Sequence, residues 1–281
     1  MAAVIWASCN LQGIFLESNL NFDMTKGVEN KEKDMIGFQA IYNRAADRKG
    51  GEAALKQLLP PVMDIEDFKH IPDDRILSVM ARVINQAGFN WSVIERKWPQ
   101  FEEAFHGFDT DKLAHLTDEE WGNYSSDTRV VRHAQKIKAV RENCHYVRRI
   151  SSEHGSFAAY ILTFPVSDQI GLMAALKKQG TRLGGNSGQY FLRFIGRDGF
   201  VLSQDVIACL RHNGLEIQES PTSKKDLTAI QDTFNHWHQE TGLPYTHLSK
   251  IAAYSIGADF IGVEGAENPI QNELKKLGLD H

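Results

Sequence analysis

Leu183-Gly184-Gly185-Asn186-Ser187-Gly188 sets glycines on both sides of an Asn-Ser pair, between two segments of helical pattern. Glycine removes the Cβ that would keep a backbone amide away from an anion. A helix beginning at the same point turns its positive dipole end toward that anion. A phosphate held in this way is a positioning contact and reads no sequence. A tight interhelical turn is the other reading of the same spacing, and both stay open. No Walker-type glycine run ending in Lys-Ser or Lys-Thr is present, and no strand pattern precedes the glycines. Neither a P-loop nor a dinucleotide fingerprint applies.

The charge pattern bears on the same chemistry. The chain carries 31 Lys and Arg against 36 Asp and Glu, a net charge of −5, so it is not globally basic. Seven bases (129, 132, 136, 138, 141, 148, 149) face one acid, Glu142, between Arg129 and Arg149. Five more (177, 178, 182, 193, 197) face one acid between Lys177 and Asp198. Asp64 to Asp74 holds five acids and one base, Lys69. An acidic chain with two basic segments suits a polyanion binder with one charged face. A solvated helix face gives the same pattern.

The elements that must carry these residues read as helices. Ile76, Leu77, Met80, Val83, Ile84 and Ala87 form one stripe, with Asp73 or Asp74 as cap and Gly88 as stop. Thr117 and Glu120 have capping-box spacing. Residues 136–150, 168–179, 189–195 and 246–256 read as further helices, and Ser223 with Asp226 caps another that ends at Gly242. Strict alternation with β-branched enrichment is missing throughout, so the fold class is all-α. The 281 residues, 42% of them apolar, suffice for a sizeable core, and no window is apolar enough to span a membrane. Cys9, Cys144 and Cys209 lie too far apart for a disulfide framework, which implies a reducing, cytoplasmic setting. Residues 1–36 read as a disordered leader, 37–257 as the helical domain, and 258–281 as an acidic tail.

Three runs carry a family likeness. Residues 83–91 (VINQAGFNW), 105–109 (FHGFD) and 130–140 (VVRHAQKIKAV) resemble DNA-3-methyladenine glycosylase I in order and spacing. Residues 174–196 resemble, more loosely, that family's second block and the helix-hairpin-helix of the wider glycosylase superfamily. The resemblance implies a two-lobed helical protein that grips duplex DNA through a hairpin, flips an alkylated base into a cleft and hydrolyses its N-glycosidic bond. Trp91 matches the stacking tryptophan. Gln86 and Asn90 are candidates to read the base edge, and Phe38 and Tyr42 to form the other pocket wall. Gly184, Gly185, Asn186, Ser187, Gly188, Arg132 and Lys136 are the expected DNA contacts. The implied partner is double-stranded DNA containing alkylated bases, met by a monomer without cofactor and, in a bacterium, at the nucleoid.

The chain departs from the family pattern in three places. Val83 stands where the family has the glutamate that reads the adenine. That keeps two alternatives alive: a catalytically weak damage-binding module, and a glycosylase for another base. The family ties its termini with zinc through two Cys and two His. Four such ligands cannot be assembled here, so no metal is expected. The superfamily's aspartate position after the hairpin falls on Ser203, with Asp205 two beyond. Asp205 is the catalytic candidate, and an N-cap of the next helix is its other reading.

Overall fold

The computed structural model describes residues 37–256. In chain order these form α1 (Phe38–Arg48), α2 (Glu52–Gln57), α3 (Ile65–Lys69), α4 (Asp73–Gln86), α5 (Trp91–Ala104), α6 (Thr110–Ala114), α7 (Asp118–Asn123), α8 (Ala134–His154), α9 (Phe157–Leu162), α10 (Gln169–Gln179), α11 (Asn186–Phe194), α12 (Gln204–His212), α13 (Lys224–Thr241) and α14 (Tyr245–Ile256). Among the described residues no strand occurs, and no helix is long and apolar enough to cross a membrane. The expected leader and acidic tail lie outside the described residues.

Two hydrophobic cores divide the helices. The first collects α3 to α11, with α4 at its centre: every residue from Ile76 to Gln86 is buried. The second joins α1 to α12, α13 and α14, so the two ends of the described chain share one core. Phe38 packs at a tilt against Trp237, centroids 5.1 Å apart, and its amide donates to the Glu240 carboxylate at 2.9 Å. Arg44 and Arg48 of α1 donate to the carbonyls of Ser255 and Tyr254, which meets the open acceptors of the last turn of α14.

The segment 197–203 passes from one core to the other without regular structure, and buried side chains satisfy its backbone. The Gln169 amide donates to Phe200 O at 2.6 Å and accepts from Phe200 N at 2.7 Å, as a strand neighbour would. Gln189 Oε1 accepts from Leu202 N, and the Asp198 carboxylate accepts the first amides of α14, Tyr245 and Thr246. Each is a local answer to buried backbone that must be paired.

Most helix signals hold. The Thr117–Glu120 capping box forms, Ser223 caps α13, and Gly242 ends it in the left-handed region. Two caps differ. Pro72, not an aspartate, precedes α4, and the Asp73 carboxylate instead accepts from Phe157 N at the start of α9. Ser203 caps α12 through Val206 N, which puts Asp205 in the first turn rather than at the cap. At α12 the Ser203 hydroxyl is better placed for the amide, whereas α4 has no side-chain cap.

Candidate base-binding site and DNA interface

The turn between α4 and α5 carries the QAGFNW run. Gly88 lies at φ 75°, a left-handed position that lets the chain leave α4 without Cβ strain. Asn90 caps α5, its Oδ1 accepting from Ser92 N at 3.0 Å. The side-chain oxygen of Asn90 is therefore committed to the helix start. Phe89 and Trp91 are each 43% exposed on this turn, unusual for large aromatic side chains. Trp91 stands edge-on to Tyr190 (5.2 Å, 86°) and Phe194 (6.0 Å, 76°) of α11, which fixes the indole and leaves part of it open.

Lys136 holds the turn from below. Its Nζ donates to Asn85 O and Ala87 O, both at 2.8 Å, and sits 4.1 Å from the centroid of the Phe89 ring. These carbonyls belong to the last turn of α4, where a cation is favoured. Burial pushes the Lys136 amine down to about 8, and Arg182 nearby acts in the same direction. The side chain is thus a strut inside the protein. The expectation that Lys136 meets DNA phosphate is corrected: no donor is left at the surface.

The base-reading candidates separate. Gln86 lies beside the turn, 3% exposed, and its Nε2 donates to Glu95 Oε1 at 2.6 Å. Phe38 is 1% exposed in the second core, so it has no face to offer a base. Tyr42 packs on the same core and its hydroxyl donates to Glu52 at 3.0 Å. These two residues form part of the α1–α14 core and not a pocket wall. Val83 is buried among apolar neighbours, 4% exposed, so no acid enters from that turn of α4.

The residue that sequence reasoning missed is Glu95, one helical turn after Trp91. It is 37% exposed at the side chain, and Arg82 Nη1 comes to 3.9 Å of its Oε2. Arg82 in turn lies with its guanidinium 4.7 Å over the Trp98 ring. The signal was available as an i, i+4 pair, Trp91 and Glu95, on one helix face. On α11, Tyr190 has its hydroxyl pKa raised by burial, with Arg193 opposing the rise and Asp205 adding to it. Asp205 is therefore near enough to Tyr190 for its charge to be felt there.

The glycine-bearing run forms the turn between α10 and α11. Gly185 precedes α11 at φ 57°, and the helix begins at Asn186, earlier than the expected Gln189. Asn143 on α8 pins the entry: it accepts from Thr181 N at 2.8 Å and donates to Thr181 O at 3.0 Å. Gly185 and Asn186 are exposed, and Gly184 and Ser187 are partly so. Gly188 is buried, and a Cβ there would stand 2.4 Å from Leu183 O, so its task is close packing. Gly188→Ala is expected to lower stability by about 1–3 kcal/mol through overpacking against a backbone atom, read as an earlier urea midpoint. Arg132 is exposed, and Arg182, also exposed, donates to Gln135 at 2.9 Å.

Among the described residues no group of three or more His, Cys, Asp or Glu is placed to hold a metal. Cys144 belongs to the first core, its Sγ donating to Thr110 O, and Cys209 to the second, beside Ser255. Cys9 lies outside the described residues.

The fold is all-α and of a helix-hairpin-helix glycosylase-like type. Over 75% of this chain and 91% of its own length, the 8-oxoguanine DNA glycosylase of Methanocaldococcus jannaschii shares the fold, with TM-score 0.50 and 13% identity. The methyladenine glycosylase model matches residues 70–186, which holds the turn, the strut and the first part of the glycine run. DNA-3-methyladenine glycosylase 1 of Escherichia coli K12 is 24% identical over 148 residues, 46% of this chain and 77% of that protein. DNA-3-methyladenine glycosylase of Haemophilus influenzae is 28% identical over 79 residues, 28% of this chain and 43% of that protein. The likeness to the methyladenine glycosylase family is therefore confined to this segment of the chain.

Proposed function

We propose that this protein is a DNA glycosylase of base excision repair that releases 3-methyladenine from duplex DNA. The observation that carries the reading is Trp91, exposed on a braced turn and held edge-on by Tyr190 and Phe194. A base inside a duplex is out of reach of hydrolysis and must be extruded and stacked. An exposed indole supplies the stacking face, and a cationic alkylated purine gains further from it. Phe89 beside it has the apolar bulk to occupy the gap left in the helix. Arg132 and the exposed amides before and within the first turn of α11 supply phosphate contacts. A methylated purine leaves readily because it departs as a neutral base, so the protein needs little more than positioning and a carboxylate such as Asp205. The reaction is hydrolysis without strand cutting, by a monomer that carries no cofactor.

The test is incubation of the purified protein with N-methylated genomic DNA and chromatography of the freed bases. Release of 3-methyladenine without added metal is expected, and absence of any freed base would sink the reading. Borohydride should trap no covalent protein–DNA adduct. Lys136 is engaged by two carbonyls. Arg132→Ala is expected to make the slope of log affinity against log salt shallower by about 0.9, equally on damaged and undamaged duplex. Val83 favours a second reading, a damage-binding module of the same fold, because the position brings no acid to the base. Lesion-dependent binding without base release would select it.

A further inference from the structure

We propose, on the glycosylase reading of the Trp91 site, that Arg193, Lys250 and the hydroxyls of Tyr190 and Tyr254 form an anion site. It takes the phosphodiester of the extruded nucleotide and is separate from the glycine turn. Tyr190 and Arg193 stand three apart on α11, and Lys250 and Tyr254 four apart on α14, so each pair shares a helix face. A hydrogen bond joins the two helices at this level: Arg193 Nη2 donates to Ser249 Oγ at 2.9 Å, and also to Gly199 O at 2.9 Å. The Lys250 ammonium sits 5.8 Å from the centroid of the Tyr254 ring. Lys49, just after α1, comes within 5.0 Å of the same ring. Tyr190 is also the ring against which Trp91 is held edge-on, at 5.2 Å. The cluster therefore begins where the stacking indole ends.

The positive charges of this cluster lack a counterpart. Arg193 is 6% exposed, and its Nε is buried without an acceptor. Among the described residues neither Arg193 nor Lys250 has an ion pair. Asp198, the carboxylate whose charge favours the Arg193 guanidinium, already accepts from the amides of Tyr245 and Thr246. Asp205, the acid felt at Tyr190, is exposed and pairs with neither cation. Burial pushes the Lys250 amine down to about 8, and Arg193 acts in the same direction. Two neighbouring cations without a carboxylate partner destabilise the folded protein, and packing alone gives no reason to keep them. An anion between them relieves the repulsion and accepts from donors that the protein leaves idle. The Tyr190 and Tyr254 hydroxyls donate to no described residue, and burial raises both pKa values against the pull of Arg193, so they stay protonated donors. A phosphodiester fits this arrangement. A nucleotide whose base lies on the Trp91 indole carries one on either side of its sugar, within a sugar's reach of Tyr190.

The experiment follows binding against salt on two duplexes of one sequence, one intact and one holding a tetrahydrofuran abasic site, a stable stand-in for the nucleotide left after base release. The full chain is compared with Lys250→Met and Tyr254→Phe, with thermal melts of all three proteins. Lys250→Met is expected to weaken binding of the abasic duplex about tenfold, the lower end for a charge-assisted hydrogen bond. Its slope of log affinity against log salt should become shallower by about 0.9, while intact duplex binds as before. Tyr254→Phe should weaken binding of the abasic duplex at an unchanged slope, because it removes a neutral donor. Without DNA, Lys250→Met should melt at or above the wild type, which a structural ammonium would not allow. A wild-type slope for Lys250→Met on the abasic duplex overturns the site. An equal loss on intact duplex overturns its assignment to the extruded nucleotide. A borohydride-trapped adduct that disappears in Lys250→Met overturns it as well, since that places the amine on the sugar. Should Lys250→Met fail to fold, Tyr254→Phe decides: wild-type affinity for the abasic duplex overturns the site, and a loss confined to that duplex supports it. If the wild type frees no base from methylated DNA, the glycosylase reading falls and the two duplexes still decide. A Lys250-dependent preference for the abasic duplex then supports the anion site, and its absence overturns it.

Discussion

Trp91→Ala slows base release roughly 5- to 150-fold, the range set by about 1–3 kcal/mol for one stacked base, while undamaged duplex binds as before. The asymmetry follows from when the indole acts, since stacking begins only after the base has left the helix. Stability should fall modestly, because nearly half the side chain already faces solvent and only its edge contacts with Tyr190 and Phe194 are lost. Each such aromatic pair contributes about 0.5–1.5 kcal/mol. Thermal melts beside single-turnover kinetics check both parts. A folded Trp91→Ala protein that excises at the wild-type rate removes the site assignment.

The second large effect belongs to Lys136. Lys136→Met keeps the stem and deletes the ammonium, so the Asn85 and Ala87 carbonyls lose their donor. The expected loss is about 2–3 kcal/mol of stability, in line with buried hydrogen bonds to a charged group. Base release should fall as well, since Phe89 and Trp91 sit on the turn those bonds brace. Unlike Arg132→Ala, the change should leave the salt slope nearly intact. The pH dependence has a defined sign. The folded-state amine titrates near 8 and an unfolded lysine near 10.4. Between these values the unfolded chain binds more protons, so stability rises with pH across that window. Denaturant midpoints of wild type minus Lys136→Met from pH 7 to 10.5 should therefore grow. A flat difference contradicts the buried, titrating lysine.

Helix periodicity made the fold legible because the apolar stripes are strong and the stops are glycines. The stripe from Ile76 to Ile84 is the centre of the first core, and Gly88 and Gly242 sit in left-handed positions beyond their helices. The boundaries that moved did so for local reasons, since Ser203 reached the α12 amide that Asp205 did not. The site was legible in its aromatic part and not in its polar part. Trp91 and Gln86 both stand at the turn between α4 and α5. Phe38 and Tyr42 were placed by a linear likeness, but α1 packs on α14, and nothing local in their sequence reports a partner some 200 residues away. Lys136 looked like one of seven surface bases, because a charge run does not say which member points inward. Glu95 went unremarked for the opposite reason, since an acid on an exposed helix face is ordinary until Gln86 and Arg82 are seen against it.

The strut has a consequence for how such a protein changes over generations. The runs 83–91 and 130–140 are far apart in the chain, yet Lys136 makes them one mechanical part, and altering either end loosens both. The carboxylate at position 95 belongs to neither run. A lineage can therefore vary the outward face of α5 while the brace beneath the turn passes on intact.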